Sequence, residues 1–418
     1  MKRFISLGAA AIMAGLQLVA TPATEVLTVS VGSQPLAVDA PVEVGVREAV
    51  PRGEALEAVV TEGREQHILL QDAPALLTSP DGVELRRSLC AVLPHGTTSG
   101  RHPLRSLASA ARPAFSFAPL EGDRLKLLEG DRPVLVYNHG FQLAPGAPEE
   151  VRRSTYVHPI YDLDGREVSD DFAPDHYHHR GLSWMWPRVT IRDTQYDLWH
   201  IKGLRQVFEK WLGQEAGSVC ATLGVKNAWR LADRKVMDEW VWLRVFRAGE
   251  HGRAIDVRLT WQALEPVQIR GQVEAGYGGL VLRLANRQGT RLMTPAGLQA
   301  KDTNLQPLAW ADESGRFDRS GEVSGVAIFQ HEGNPGFPAG WTLRGSDKYG
   351  FLGVAWPGLE PVTLEPQRAL TLRFRVWVHR GDASAGQVEA AYAAFSESPN
   401  VTVERADASA RRPYLPPW

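Results

Sequence analysis

The sequence predicts an all-β fold, an antiparallel β-sandwich with a small N-terminal β-rich domain and one C-terminal helix. Several segments alternate apolar and polar residues with a period of two, which is typical of strands. The 418 residues include 39 glycines and 28 prolines, above the roughly 12% of an average protein, and this indicates many turns. The sequence has no alternation of strand and helix patterns, so a parallel sheet is not expected.

The composition indicates a globular protein of near-neutral charge. Hydrophobic residues make up 44% of the chain and charged residues 22%, whereas disordered chains are poor in apolar residues. The 46 Lys and Arg stand against 48 Asp and Glu, a formal charge of −2. Nucleic-acid binding needs a positive surplus, so it is not expected. After residue 23 no apolar stretch of about 20 residues occurs, which excludes a transmembrane helix from the mature chain.

Residues 1–23 have the pattern of a secretory signal peptide. Lys2 and Arg3 form a positive start, and residues 5–20 form an apolar segment too short to span a membrane. Small residues follow, which suits cleavage after Ala23. We therefore expect an exported protein, periplasmic or extracellular after cleavage.

The two cysteines, Cys90 and Cys220, lie far apart in the sequence. A disulfide requires their Cα atoms to lie within about 7 Å of each other. Export permits such a bond, but a chain of this length can bury enough apolar surface without one. The sequence therefore favours two unpaired cysteines.

The chain divides into a β-rich N-terminal part, residues 24–118, and a larger sandwich domain, residues 119–402, followed by a tail, residues 403–418. Turn residues separate short strand-like runs in the first part. These runs are residues 26–31, 58–61, 67–70 and 83–86. Residues 96–113 are rich in Ser, Gly and Arg, and we expect them to form a loop.

The clearest strands lie in the second part. Residues 253–261 and 369–379 alternate cleanly, with an apolar face inside and a polar face outside. Residues 236–246 are apolar on both faces, which predicts a strand that is covered on both sides. Residues 156–161 predict a strand that enters a tight turn at residues 162–165.

One helix is expected near the C-terminus. Ser384 and Gln387 have the spacing of a capping box. Val388, Tyr392 and Phe395 follow a helical stripe after it.

The densest group of chemically active residues is the run Asp175-His176-Tyr177-His178-His179-Arg180-Gly181. In an extended conformation His176, His178 and Arg180 would point to one side. Tyr177 and His179 would point to the other. Histidine exchanges protons near neutral pH, and an arginine can hold a carboxylate, a phosphate or an oxyanion. The three histidines are therefore candidate catalytic residues, and Arg180 is a candidate substrate-binding residue.

The same run also fits a divalent metal. The spacing of His176 and His178 suits a transition metal, with Asp175 as a further ligand. Neither an HExxH nor a Cys-x-x-Cys motif accompanies them. Proton transfer or substrate binding is therefore favoured, and metal binding stays an alternative.

Other residues could join the same pocket. Glu274 precedes a Tyr-Gly-Gly turn and is a candidate general base, although a solvated strand end would look the same. Tyr277 and Arg283 are candidate substrate-binding residues in and after that turn. His379 ends a strand and could reach the histidines, or bond on the surface. Trp199 could stack on a sugar ring or pack in the core.

Several short pieces resemble the PmoA-like family of exported proteins of unknown function. They are residues 156–161, 175–181, 198–200 and 277–280, with Arg283, Trp310, Asn334, Pro335 and residues 379–381. The pieces span roughly residues 132–382, and the DHxHHRG core is quite specific. This chain departs from the family at Tyr177, where the family often has proline or another small residue. The methane monooxygenase subunit that gives the family its label is a multi-span membrane protein, unlike this chain.

The resemblance implies a β-sandwich similar to the galactose-mutarotase supersandwich, in which histidines and a carboxylate act on a sugar ring. It also adds Tyr156 to the candidate substrate-binding residues. We therefore expect an exported carbohydrate-active enzyme, an epimerase, lyase or hydrolase, that moves protons with its histidines. A metal-dependent enzyme and a non-catalytic sugar-binding or cell-surface module are the alternatives.

Overall fold

The computed structural model describes most of the chain. The described residues are 25–31, 34–45, 56–61, 65–75, 87–106, 113–318 and 321–405. The predicted signal peptide, the run 83–86 and most of the predicted tail lie outside them.

The first half of the described chain consists mainly of short strands. They are β1 (Glu25–Ser30), β2 (Ala40–Gly45), β3 (Leu56–Thr61), β4 (Glu65–Pro74), β5 (Arg87–Leu93), β6 (Gly100–Ser106), β7 (Phe115–Leu120), β8 (Arg124–Glu129), β9 (Arg132–Asn138), β10 (Tyr156–Ile160), β11 (Leu182–Met185), β12 (Arg188–Ile191) and β13 (Thr194–Tyr196).

The second half begins with four long strands and contains the α-helix. Its elements are β14 (Arg205–Ala216), β15 (Cys220–Leu231), β16 (Arg234–Phe246), β17 (Gly252–Ala263), β18 (Val267–Arg270), β19 (Gly279–Leu284), β20 (Gln288–Thr294), β21 (Gly297–Leu298), β22 (Thr303–Pro307), β23 (Trp310–Arg316), β24 (Ser324–Gln330), β25 (Gly340–Ser346), β26 (Tyr349–Ala355), β27 (Val362–Leu364), β28 (Leu370–Arg380), α1 (Val388–Ser396) and β29 (Asn400–Arg405).

These strands pair antiparallel in four sheets. The N-terminal sheet has the order β2-β5-β4-β3-β6-β1-β29. The front sheet has the order β22-β25-β26-β19-β11-β10-β9-β8-β7, and the central sheet has the order β14-β15-β16-β17-β28-β24-β23-β20-β21. A small sheet, β13-β12-β18-β27, lies beside them. The predicted all-β antiparallel sandwich with a C-terminal helix is confirmed.

The central sheet is covered on both faces. In β28, Phe374 packs into a first core that is shared with the front sheet. Trp377 on the same strand packs into a second core that is shared with the N-terminal sheet and α1. Strand β16 likewise places Val241 in the first core and Phe246 in the second. The prediction that residues 236–246 form a strand covered on both sides is confirmed.

Burial on both faces also corrects the expectation that the polar faces of β17 and β28 lie outside. Arg258 is only 8% exposed and Arg375 only 5%. Arg375 donates to Asp256, with Nε–Oδ1 at 2.5 Å and Nη2–Oδ2 at 2.9 Å, and its guanidinium lies 4.8 Å from the ring centre of Phe395. The period of two located both strands correctly, but the second core covers the face that reads as polar.

The end of the chain completes the N-terminal sheet. Strand β29 pairs along the whole of β1, so the expected tail begins inside a strand. The expected boundary at residues 118–119 also falls inside a strand, because β7 pairs with β8 in the front sheet. Residues 96–113 are not wholly a loop, since β6 pairs with both β1 and β3.

Strand β10 leads into the predicted tight turn. Asp162 Oδ1 accepts the backbone N–H groups of Asp164 at 2.9 Å and Arg166 at 2.8 Å. Tyr161 pairs with Glu167 across the turn. The sequence prediction of a strand followed by a turn is confirmed here.

The start of α1 differs from the prediction. Gln387 precedes the helix with a φ of 52° and makes no side-chain capping bond, so the capping box between Ser384 and Gln387 is wrong. Asp382 Oδ1 instead accepts the backbone N–H of Ser384 at 3.1 Å. The carboxylate fixes the turn before the helix and leaves the serine side chain out of it.

The apolar stripe of α1 is confirmed. Val388 is 1% exposed, and the rings of Tyr392 and Phe395 lie 5.6 and 6.1 Å from the ring of Phe329 in β24. The helix therefore closes the second core. Within the described residues, no helix has the length and apolar character that crossing a membrane requires.

A buried carboxylate ties the central sheet together. Glu239 in β16 is fully buried. It accepts the indole N–H groups of Trp229 and Trp261, both at 2.8 Å, and amide N–H groups of Gln206 at 3.0 Å and Asn227 at 2.9 Å. These donors come from β14, β15 and β17, so one side chain links four neighbouring strands.

Candidate functional site

Four histidine rings lie together beside β19 and β26 of the front sheet. His176, His178 and His179 belong to the segment between β10 and β11, and His200 to the segment between β13 and β14. The ring centres are 4.4 Å apart for His178–His200, 4.5 Å for His178–His179, 4.7 Å for His176–His179 and 5.5 Å for His176–His178. We call this group the histidine cluster.

The backbone of the histidine run forms two successive turns, so the extended conformation expected from the sequence is wrong. The N–H of His176 donates to the carbonyl of Ala173, and the N–H of His179 donates to the carbonyl of His176, both at 2.9 Å. Turns break the alternation of a strand, so His176, His178 and His179 gather on one side. Arg180, expected on the side of His176 and His178, points away from them.

Two of the four histidines are paired with carboxylates. His176 Nδ1 lies 3.0 Å from Asp175 Oδ2, and His200 Nδ1 lies 2.8 Å from Asp197 Oδ2. Partial burial opposes ionisation of both carboxyls, but the histidine contacts outweigh it and lower the pKa of Asp175 and of Asp197. Because an ionised carboxylate can only accept, each histidine carries its proton on Nδ1. We call these the two Asp–His pairs.

The two inner histidines are held in their neutral form. Burial lowers the pKa of His178 to about 3, and the neighbouring His200 and His176 add to the effect. Burial and the same neighbours also lower the pKa of His179 well below its usual value. The cluster therefore has an uncharged interior between two Asp–His pairs. His176 and His200 are reachable, because their side chains are 38% and 36% exposed.

Arg283 supports the cluster from β19. Its Nη2 donates to Asp175 Oδ1 at 3.1 Å, and its guanidinium lies 4.2 Å from the ring centre of Tyr349. Tyr349 stacks on His176 with ring centres 5.2 Å apart. Arg283 is only 1% exposed, so the structure places it behind Asp175. The expectation that it faces the same pocket is met only through that carboxylate.

Arg180 and Tyr156 lie behind the cluster. Both are fully buried, and both bind Asp171, with Arg180 Nη1–Oδ1 at 3.0 Å and Tyr156 Oη–Oδ2 at 2.7 Å. The Arg180 guanidinium also lies 3.2 Å from the ring centre of Phe172. Their polar atoms are occupied within the protein, so the structure does not place them as the substrate contacts that the sequence suggested.

Arg153 holds the segment that carries His200. Its Nη2 donates to the carbonyls of Leu198 at 2.6 Å and Trp199 at 2.9 Å, and its Nη1 donates to Gln206 Oε1 at 3.3 Å. Burial, followed by the charge of nearby Arg180, lowers the pKa of Arg153 to about 9. Since Gln206 also binds Glu239, the buried carboxylate of the central sheet is connected to the backbone beside His200.

The aromatic candidates lie close to the cluster. Trp199 is 3% exposed and contacts the ring of His179 with centres 5.6 Å apart. Tyr277 is half-buried, and its ring centre is 4.7 Å from that of Trp199. Trp199 is therefore mainly a core residue, and Tyr277 is the more exposed of the two rings.

Two predicted residues are not brought to the cluster. Glu274 is exposed, and its backbone N–H bonds to Gln272 Oε1 at 2.7 Å. His379 is fully buried, and its Nε2 lies 2.6 Å from Asp312 Oδ1. A Cβ at Gly386 would come within 2.1 Å of the His379 ring, so that histidine is enclosed by its own surroundings on β28.

The donor atoms give no sign of the alternative metal site. Across the residues that the structure describes, no group of three or more His, Cys, Asp or Glu side chains is arranged to hold a metal ion. Asp175, the carboxylate expected to join His176 and His178 on a metal, is engaged by Arg283 instead.

A cavity of about 590 Å³ lies elsewhere, lined by Leu305, Trp356 and Pro357 among others and by no residue of the histidine cluster. The chemistry and this cavity therefore occupy different parts of the molecule. The cluster is assigned as the candidate site because of its titratable groups.

Gly181, the last residue of the run, lies where β10 passes closest. Its φ is 32°, and a Cβ there would lie 2.2 Å from the carbonyl oxygen of Val157 and 2.7 Å from the Cβ of His158. Backbone cannot give way as a flexible side chain can, so only glycine fits. The glycine thus presses the histidine segment against β10.

Gly181→Ala is expected to lower the free energy of unfolding by about 2–4 kcal/mol, because it adds a backbone clash to an unfavourable φ. Gly146→Ala is the matched control, since Gly146 has a φ of 81° but no atom within 4 Å of a built Cβ. That control should cost only about 1 kcal/mol. Urea unfolding measures both, and equal losses would show that the close approach is not significant.

The low pKa of His178 predicts a loss of stability in acid. The folded value of about 3 lies below the unfolded value of about 6.5. Between these values the unfolded chain binds a proton that the folded chain does not, so stability falls as the pH drops from 6.5 towards 3. Between pH 7 and 5 the unmodified protein should lose about 1 kcal/mol more than His178→Gln, allowing for solvent screening. Urea titrations at both pH values test this, and identical losses would contradict it.

The fold shares features with two solved structures. An α-mannosidase from Enterococcus faecalis V583 is 9% identical with a TM-score of 0.39, and the alignment covers 91% of this chain and 46% of that one. A protein in glycosyl hydrolase family 38 from Enterococcus faecalis is 9% identical with a TM-score of 0.40, covering 91% and 47%. This chain thus spans about half the length of these proteins, and the similarity is too low to transfer a function. A search of curated proteins finds no match.

A protein-family model matches residues 124–393, which is more than half of the chain. The matched residues include the histidine cluster and leave out the strands β1–β7. The model describes a family of unknown function and does not address the PmoA-like resemblance, which stays a prediction. The chain belongs to the family DUF6807.

Proposed function

We propose that the protein is an exported carbohydrate-active enzyme that moves protons on a sugar or sugar derivative with its histidine cluster. Epimerase, lyase and hydrolase reactions all fit, since each needs a proton donor and a proton acceptor near one reacting centre. The observation that carries the proposal is the pair of carboxylate-bound histidines on either side of neutral His178, with ring centres at 5.5 and 4.4 Å.

The Asp–His pairs supply the acid and the base. With the proton fixed on Nδ1 by Asp175 or Asp197, the Nε2 atom of His176 or His200 is the one that exchanges a proton with a substrate. One ring in its neutral form accepts a proton, while the other in its protonated form donates one. His178, neutral at working pH, lies between them and keeps the site from accumulating positive charge.

Two features support a sugar as the substrate. The PmoA-like resemblance implies a relative of sandwich proteins in which histidines and a carboxylate act on a sugar ring. Half-buried Tyr277 adds an aromatic surface beside the cluster, and aromatic rings pack against the apolar faces of sugars. The predicted signal peptide would deliver the enzyme to a compartment where exogenous sugars occur.

A substrate panel tests the proposal. Chelator-treated protein is incubated with neutral and acidic mono- and oligosaccharides, and products are followed by NMR and mass spectrometry. We expect conversion of at least one sugar without added metal. Thermal stabilisation by a sugar with no product would instead indicate a non-catalytic binding module. Activity that appears only when a divalent metal is restored would indicate the metal-dependent alternative.

A further inference from the structure

The two cysteines meet at the junction between the N-terminal sheet and the central sheet. Cys90 lies in β5 and Cys220 begins β15. Both are fully buried in the second core, and both are free thiols in this structure. Their side chains are hydrogen-bonded to each other. The prediction of unpaired cysteines holds, but the two sulfurs are neighbours despite their distance in the sequence.

Gln71 fixes the two strands around this contact. It lies directly opposite Cys90 in the β4–β5 pairing. Its side chain accepts the backbone N–H groups of Val219 at 2.8 Å and Cys220 at 3.0 Å, and donates to the carbonyl of Cys220 at 3.0 Å. A single amide therefore holds the backbone of Cys220 against the strand next to Cys90.

An ion pair fixes the same junction from the other side. Glu43 lies opposite Cys90 in the β2–β5 pairing, and its Oε2 is 2.6 Å from Arg244 Nη1. Arg244 in β16 is fully buried and also donates to Thr222 Oγ1 at 3.3 Å, two residues beyond Cys220. The polar contacts on both sides prevent the sheets from sliding and keep the sulfurs in place.

The surroundings make the two thiols unequal. Burial raises the pKa of Cys90. The hydrogen bond from Cys90 lowers the pKa of Cys220 against the effect of burial, and Arg244 assists. Cys220 therefore has the more thiolate-like sulfur, which is the form that attacks a disulfide.

We propose that Cys90 and Cys220 are a disulfide-forming pair whose oxidation bonds the N-terminal sheet to the central sheet. The oxidant is a small-molecule disulfide. The Cys220 thiolate attacks one of its sulfurs and releases one thiol, and Cys90 then loses its proton and attacks the Cys220 sulfur, releasing the second thiol. Two thiols are oxidised, one external disulfide is reduced to two thiols, and one S–S bond forms within the chain.

The test uses the full chain with its thiols reduced or treated with oxidised glutathione. Since both sulfurs are buried, oxidation is carried out close to the melting temperature, where the N-terminal sheet can open transiently. Each sample is then denatured with N-ethylmaleimide, and its intact mass and linked peptides are determined. We expect two labels on the reduced chain, and none on the oxidised chain with a Cys90–Cys220 cross-linked peptide. Two labels after oxidation, or glutathione adducts without the cross-link, would overturn the proposal.

Thermal stability gives an independent readout. The cross-link closes a long loop and should raise the melting temperature by about 5 °C, measured without reductant. Cys90→Ser and Cys220→Ser are the controls, and neither should respond to the oxidant. An unmodified protein whose melting temperature and peptide map are both unchanged by oxidation contradicts the proposal. If a variant fails to fold, the mass measurement on the unmodified chain still decides.

Discussion

Substituting glutamine for His200 is expected to lower turnover of the sugar substrate by about 10²–10⁴-fold, the usual contribution of a positioned acid or base. Glutamine keeps a polar side chain of similar length but cannot exchange a proton. His176→Gln should cause a loss of the same order, because the two rings form equivalent pairs with Asp197 and Asp175. Initial rates on the sugar found in the panel measure the effect.

A matched variant separates this effect from a general disturbance. His251→Gln changes a histidine that lies outside the cluster, after β16, and should leave turnover unchanged. Asp197→Asn should fall between the control and His200→Gln, because the ring stays but loses the partner that fixes its tautomer. A His200→Gln enzyme that keeps the full rate would remove His200 from the proposed chemistry.

Glu239→Ala is expected to destabilise the protein by about 4 kcal/mol or more. The carboxylate accepts four N–H groups, and its loss leaves the buried donors of Trp229, Trp261, Gln206 and Asn227 without an acceptor. An unsatisfied buried donor costs about 1–3 kcal/mol.

Glu239→Gln sharpens this prediction. The glutamine oxygen can keep the three donors that converge on Oε2, while its NH₂ faces Asn227, so we expect an intermediate loss of about 1–3 kcal/mol. Glu250→Ala, at an exposed turn position, should change stability by less than about 0.5 kcal/mol. Chemical denaturation ranks the variants. A Glu239→Ala protein as stable as the control would show that the buried hub is dispensable.

The sequence predicted the strands well because their hydrophobic pattern follows directly from burial. Strands β16, β17 and β28 were located by alternation or by continuous apolar runs. What the pattern could not show is which other element covers a polar face. Arg258 and Arg375 read as outward residues, yet the second core buries them.

The candidate site was predicted in part. The density of histidines located His176, His178 and His179, but local periodicity failed there because two turns replace a strand. His200 and Asp197 were missed as site residues, since a single histidine three positions after an aspartate is a weak signal in isolation. Only the fold brings that segment to within 4.4 Å of His178. Arg180 was assigned to the wrong side for the same reason.

The central claim is that the histidine cluster is a proton-transfer centre for a sugar. Its most direct test compares turnover of the panel sugar by three chelator-treated proteins of equal thermal stability. These are the unmodified chain, the double variant His176→Gln/His200→Gln, and the control double variant His95→Gln/His251→Gln. We predict full activity in the first and third and a loss of at least about 10³-fold in the second. Equal turnover by all three proteins would contradict the claim.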